Sequence, residues 1–229
     1  MDAELLQVPL REVLHFLGWR GTPVDAPLLA QIRDLCDLAV REVRPRKAER
    51  RFPLAPDGSL AGTSMTPKGN DVRAMLAPCR EAVLLAATLG AESEQLLLRM
   101  QAKDAAQALL LDAVLSAAIE AVLDAREEAL RRELAAQGRY LTDRFSPGYG
   151  DMPLAQGAQI LAVLDAQRRI GLMMTGNGLM VPRKSVTAVL GVSRTPVARR
   201  PAGCEGCIAR ETCALRRNPQ RDRDGGNSR

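Results

Sequence analysis

The chain has 229 residues, 46% of them apolar but only 3% aromatic, with a formal net charge of +5. That is enough chain for a real core in one large domain, and the Leu, Ala and Val bias points to a helix-rich globular class. The charge excludes less than it suggests: from Arg194 onward nine arginines face four acids, so the excess belongs to a tail. The rest balances at 23 basic and 23 acidic residues, and a nucleic-acid partner is not expected.

In chain order, the acidic start Met1-Asp2-Ala3-Glu4 lacks the basic region of a signal peptide. Charges interrupt the apolar runs, so no membrane span is expected and a cytoplasmic location is the default. Five cysteines, an odd number, argue against a disulfide framework. Arg11 to Trp19 reads as a short helix ending at Gly18, with Glu12, His15 and Trp19 near one face. His15 is the sole histidine, which excludes a histidine-rich metal site. Pro27 to Val43 reads as an amphipathic helix stopped by Arg44-Pro45. Residues 50–67 are punctuated by Gly and Pro, and Pro56-Asp57-Gly58 signals a small hairpin. Asp71 is the expected cap of a short helix over Val72 to Leu76. Glu81 to Gly90, continuous and apolar, reads as a buried strand.

Between Ala91 and Gln137 there is neither Gly nor Pro, and two helices are expected, with Asp104 capping the second. That second helix is apolar all round from Leu109 to Ala125 except at Asp112, Ser116, Glu120 and Asp124. Residues four apart turn by roughly 40° per step, so these four form one polar stripe. Unpaired charge on an apolar wall is expensive. Either the stripe faces water or pairs with arginines elsewhere, or it lines a site for a cationic ligand such as an ammonium or sulfonium.

Arg144-Phe145-Ser146-Pro147-Gly148-Tyr149-Gly150-Asp151-Met152-Pro153-Leu154 cannot be helix or central strand, because its prolines and glycines forbid both. A plain surface turn would satisfy that composition. A ligand loop would use the same residues: glycines that expose backbone N–H groups, an Arg144 fork suited to a carboxylate, and the face of Tyr149. Leu154 to Arg169 follows as one helix. Residues 170–184, with their glycines and methionines, read as loop or short strand, and Ser185 to Ser193 as a strand. The elements lack a βαβ rhythm, so the expected class is α+β, mixed helices around a mainly antiparallel sheet. Residues 1–193 would form one domain and 194–229 a basic tail.

R-x-[S/A]-P-G-Y, here Arg144 to Tyr149, resembles the S-adenosylmethionine loop of the cobalamin-dependent methionine synthase activation domain. Ile170-Gly171 with Thr175, then Met180, Pro182, Ser185 and Val186, is similar to a second segment of that family, and the apolar helix before the loop to a third. The likeness spans roughly residues 80–193 and looks most like freestanding versions of the domain. It implies that Arg144, the backbone around Ser146, Gly148 and Tyr149, and Glu120 hold S-adenosylmethionine, with Glu12 a further acidic candidate. It also implies a role in reductive remethylation of cob(II)alamin on a partner corrinoid methyltransferase, fed by an electron donor. Gly150 departs from the family's proline, and no corrinoid-binding motif is present, so cobalamin would arrive on the partner.

Cys204, Cys207 and Cys213 form CxxC-x5-C, a chelating unit for zinc or an iron–sulfur cluster, or else free thiols in a weakly ordered tail. A fourth ligand would come from Cys36, Cys79, a partner or solvent. The competing function is a non-catalytic ligand- or metal-sensing module whose basic tail binds a partner.

Overall fold

The computed structural model describes residues 6–19 and 23–197. The cysteine tail, with Cys204, Cys207 and Cys213, lies outside the described residues.

Two N-terminal helices, the short α1 (Leu10–Phe16) and the longer α2 (Ala26–Glu42), precede strand β1 (Arg46–Pro53), helix α3 (Asn70–Leu76) and strand β2 (Cys79–Thr88). Helices α4 (Ala91–Lys103) and α5 (Ala105–Ala135) follow, then strand β3 (Tyr140–Leu141). Helices α6 (Gln156–Leu164) and α7 (Ala166–Ile170), a small hairpin of β4 (Met173–Met174) and β5 (Met180–Val181), and strand β6 (Ser185–Ser193) complete the order. The main sheet runs β1-β2-β6-β3, antiparallel throughout. The expected α+β class with a mainly antiparallel sheet is what the chain adopts.

The two central strands are buried on both faces, which is why β2 reads as one apolar run. Period-two alternation sorts its side chains. Val83, Leu85 and Ala87 face a core shared with α1, α2, α4 and α5, while Ala82, Leu84 and Ala86 face a second core built by α3, α6 and α7. The register pairs Val83 with Leu190 and Leu84 with Val189, so both strands send matching positions to each core.

Asp104 ends α4 and caps α5, its carboxylate accepting from the N–H groups of Ala106 and Gln107 at 2.9 and 3.0 Å. At 31 residues, with a mean hydropathy of 1.7 over its most apolar stretch, α5 is long and apolar enough to cross a membrane by length and composition. Asp112 and Glu120 interrupt that stretch, as the sequence reading has it. Half of that stretch is buried in this fold, where Leu111, Val114, Leu115 and Ala118 form the middle of the first core.

Of four further details, three differ from the sequence reading and the turn agrees with it. Strand β1 was not expected, because its face shows mostly arginine, lysine and glutamate and only Ala48 and Phe52 are buried. The Pro56-Asp57-Gly58 turn is present, closed by a single bridge between Leu54 and Leu60. Asp71 does not cap α3; the capping oxygens come from Asp151. The expected helix over 154–169 is two helices, broken at Asp165, the one described non-glycine residue at positive φ (51°).

Candidate functional site

The polar stripe of α5 is not bare. Lys184, just before β6, pairs with Asp112 at 2.9 Å and donates to the Ser116 hydroxyl at 2.7 Å. The other half of the stripe is closed by Arg144, which donates to Glu120 at 2.7 Å, to Asp124 at 2.6 Å and to Glu127 at 2.9 Å. Glu127 is nearly buried, and its second oxygen accepts from Arg131 at 2.6 Å. Of the two readings the sequence left open, pairing with cations elsewhere is the arrangement present, and it removes the desolvation problem. Burial works against the Arg144 charge, but Asp124, Glu120 and Glu127 outweigh it and raise its pKa above the ordinary guanidinium value. Arg144 is therefore a cation at every accessible pH.

Beyond Arg144 the chain joins the sheet for one residue. Phe145 and Val189 exchange backbone hydrogen bonds at 2.9 and 2.8 Å, and the Phe145 ring is buried in the second core. The loop then closes on itself. Tyr149 N–H donates to Ser146 C=O at 3.1 Å, Gly148 N–H to Met152 C=O at 2.9 Å, and Met152 N–H to Tyr149 C=O at 3.1 Å. Of the two loop glycines expected to expose their N–H groups, Gly148 uses its own inside the loop, as Tyr149 does. Gly148 instead supplies the positive φ of 92° that the turn requires.

A cleft of about 420 Å³ opens between α5, this loop, α6, the β4–β5 hairpin and β6. Glu120 and Arg144 give it a charged end, Ser146, Pro147 and Tyr149 one wall, and Leu154, Met174 and Met180 an apolar wall. Ser185, Val186 and Thr187 of β6 and Gly157 of α6 complete the lining. Gly157 matters for shape, because a Cβ there would come within 2.7 Å of the Met174 methyl and 3.4 Å of the Thr187 hydroxyl. The size and the mix of apolar walls with a few convergent polar groups are those of a small-molecule site.

Of the residues expected to bind, Glu120, Arg144, Ser146 and Tyr149 line this cleft together. Gly148 shapes the loop behind it. Glu12 does not line it; it sits on α1 in an exposed ion pair with Arg11 at 3.0 Å. Sequence reasoning missed Leu154, Gly157, Met174 and Met180 as lining, having read the methionines as core filler. Met180 alone carried a signal, because it stands with Ser185 and Val186 in the second segment of the family likeness, and all three line the cleft.

Among the described residues no group of three or more His, Cys, Asp or Glu side chains is arranged to hold a metal. Cys36 and Cys79 are free thiols on different elements. Burial pushes both up to about 11, with Asp37 adding to the effect at Cys36, so neither is inclined to the thiolate form a metal needs.

Residues 82–195 match the family described as vitamin B12 dependent methionine synthase, activation domain. Among solved structures, the chain is similar to the MetH reactivation domain bound to AdoHcy, with a TM-score of 0.60 and 17% identity. The similarity covers 82% of this chain and 77% of that one. At that identity the likeness speaks for the fold. No curated protein sequence matches the chain.

Proposed function

Because residues 82–195 carry the activation domain of the vitamin B12 dependent methionine synthase family, we propose that the cleft binds S-adenosylmethionine. In this reading the protein supports reductive remethylation of cob(II)alamin held by a partner corrinoid methyltransferase. The observation that carries the reading is the meeting of Glu120, from α5, with Arg144, Ser146 and Tyr149, from the following loop, on one cleft. The solved relative bound to AdoHcy supports the ligand class.

The residues divide the ligand between them. Arg144 presents a planar fork to the ligand carboxylate, and Glu120 beside it accepts from the ammonium group. Arg144 reaches a carboxylate by opening one of its three ion pairs, and Asp124, the most exposed partner at 65%, is the least costly to release. Leu154, Met174, Met180 and the Tyr149 ring give the adenosine an apolar bed, while Ser146 offers a hydroxyl at the wall. Holding the donor in one orientation is the protein's contribution to rate. The partner's corrinoid, once reduced by an electron donor, would supply the nucleophile for the sulfonium methyl, and the ligand would be left in the cleft as the neutral thioether S-adenosylhomocysteine.

Isothermal titration with S-adenosylmethionine tests this. Wild type should bind, and Arg144→Ala should weaken binding by about 1.5–3 kcal/mol, the worth of a charge-assisted hydrogen bond. Absence of binding by the wild type would remove the reading.

The tail is a separate part of the proposal. Cys204, Cys207 and Cys213 would bind iron and sulfide, or zinc, with Gly203 and Gly206 allowing the tight turn. Neighbouring arginines favour the thiolate. Metal analysis after anaerobic purification decides it, and finding neither iron nor zinc would rule the site out.

A further inference from the structure

The ligand loop is fastened to a segment that follows β1 and lies far from it in sequence. The Asp151 carboxylate accepts from the backbone N–H of Asn70 at 2.5 Å and of Asp71 at 3.1 Å, thereby capping α3 across 80 or more residues. Those two donors hold the Asp151 carboxyl below the usual carboxylate range. One turn further on, Gln156, nearly fully buried, accepts from Lys68 N–H at 2.7 Å and donates to Thr66 C=O at 2.9 Å.

The fit is reciprocal. At Gly69, with φ 120°, a Cβ would lie 2.6 Å from an Asp151 carboxylate oxygen and 3.1 Å from its carbonyl. At Gly150, with φ 52°, a Cβ would collide with the Asp71 carboxylate and come within 3.3 Å of the Phe145 ring. Each glycine makes room for the other segment's aspartate. A proline at 150, with φ fixed near −65°, could not adopt this backbone at all.

We propose that Asp151 is a positioning residue for the cleft: by docking the loop onto the 66–71 segment it sets the placement of Tyr149, two residues before it. This rests on the reading of the cleft as an S-adenosylmethionine site. The loop's own hydrogen bonds fix its internal shape, while Phe145 at one end and Asp151 and Gln156 at the other fasten it to the fold. Releasing the Asp151 anchor loosens the stretch that carries Tyr149, while the buried Phe145 ring keeps the sheet intact.

Two measurements on the full chain test this, one needing no ligand. The protein has two tyrosines, Tyr140 and Tyr149. Labelled with 3-fluorotyrosine it should give two fluorine resonances, with Tyr140 on β3 as internal reference. In Asp151→Ala the Tyr149 signal should shift or broaden while Tyr140 stays, and S-adenosylmethionine affinity should fall roughly five- to tenfold. Asp151→Asn, which keeps one acceptor oxygen and the shape, should restore part of both effects, and it answers the question if the alanine variant folds poorly. An unchanged Tyr149 resonance together with unchanged affinity in Asp151→Ala would overturn the proposal. If the wild type fails to bind S-adenosylmethionine, the functional reading falls and the fluorine spectrum alone decides the positioning claim.

Discussion

Arg144 has two roles in this fold, and its substitutions should show both. It is the counter-charge for Glu120, Asp124 and Glu127, and it is the candidate ligand fork. Removing it leaves half of the α5 stripe uncompensated beside an apolar cleft. Arg144→Ala should therefore lower stability to denaturant by about 1–2 kcal/mol, less than for a fully buried pair because Glu120 and Asp124 reach water. Arg144→Lys should retain some of that stability but not ligand affinity, since an ammonium cannot address two carboxylates with a planar fork. Gly157→Ala is expected to do the reverse. Its Cβ displaces only the mobile end of Met174, so the melting temperature should hold while the cleft narrows and S-adenosylmethionine affinity drops several-fold. Cys36 and Cys79 give a pH prediction. Their thiol pKa values are raised to about 11 on folding, so their contribution to stability is complete below the unfolded thiol range and is lost as pH rises toward 11. Peptide-resolved alkylation at pH 8 should find both slow to react until the protein is unfolded. At this scale Glu120 and Arg144 were legible: one by its place in a four-residue repeat, the other by its motif. Asp151 was not, because its partners lie on a different element and no local spacing records a cap made across the chain.

Helices announced themselves where local chemistry was complete. Asp104 at the only break in a long Gly- and Pro-free interval was readable as a cap, and it caps. Asp104→Ala should cost about 1 kcal/mol and lower the melting temperature by roughly 2–4 °C in a chain of this size. Scanning calorimetry checks this. Strand β1 was illegible for a physical reason. It lies at the sheet edge, where exposed arginines and lysines discourage pairing with another chain, and those charges hide the strand pattern. The break between α6 and α7 was hidden too, because an aspartate at left-handed φ leaves no mark such as a glycine or proline would.

The sheet divides the molecule into two cores, and the cleft lies where elements of both meet: α5 from one, Phe145 and α6 from the other. Residues up to Val197 contain every strand and helix of the described fold. A chain ending there should bind S-adenosylmethionine as the full chain does. If the cysteines carry metal, the shortened protein should lack it and should fail to support reductive reactivation of a corrinoid partner.

Strands β2 and β6, neighbours at the centre of the sheet, are separated by about 100 residues of chain, a long loop to close before any pairing is rewarded. During synthesis at roughly 5–20 residues per second, α5 therefore leaves the ribosome several seconds before β6 exists to cover that side of the sheet. Over that interval its most apolar 18-residue stretch has neither the finished sheet nor Lys184 against it. The newborn chain should accordingly be a better client for a chaperone than the finished protein. Ribosome-stalled chains ending between α5 and β6 should cross-link to such helpers, and the signal should fade once Ser193 has emerged.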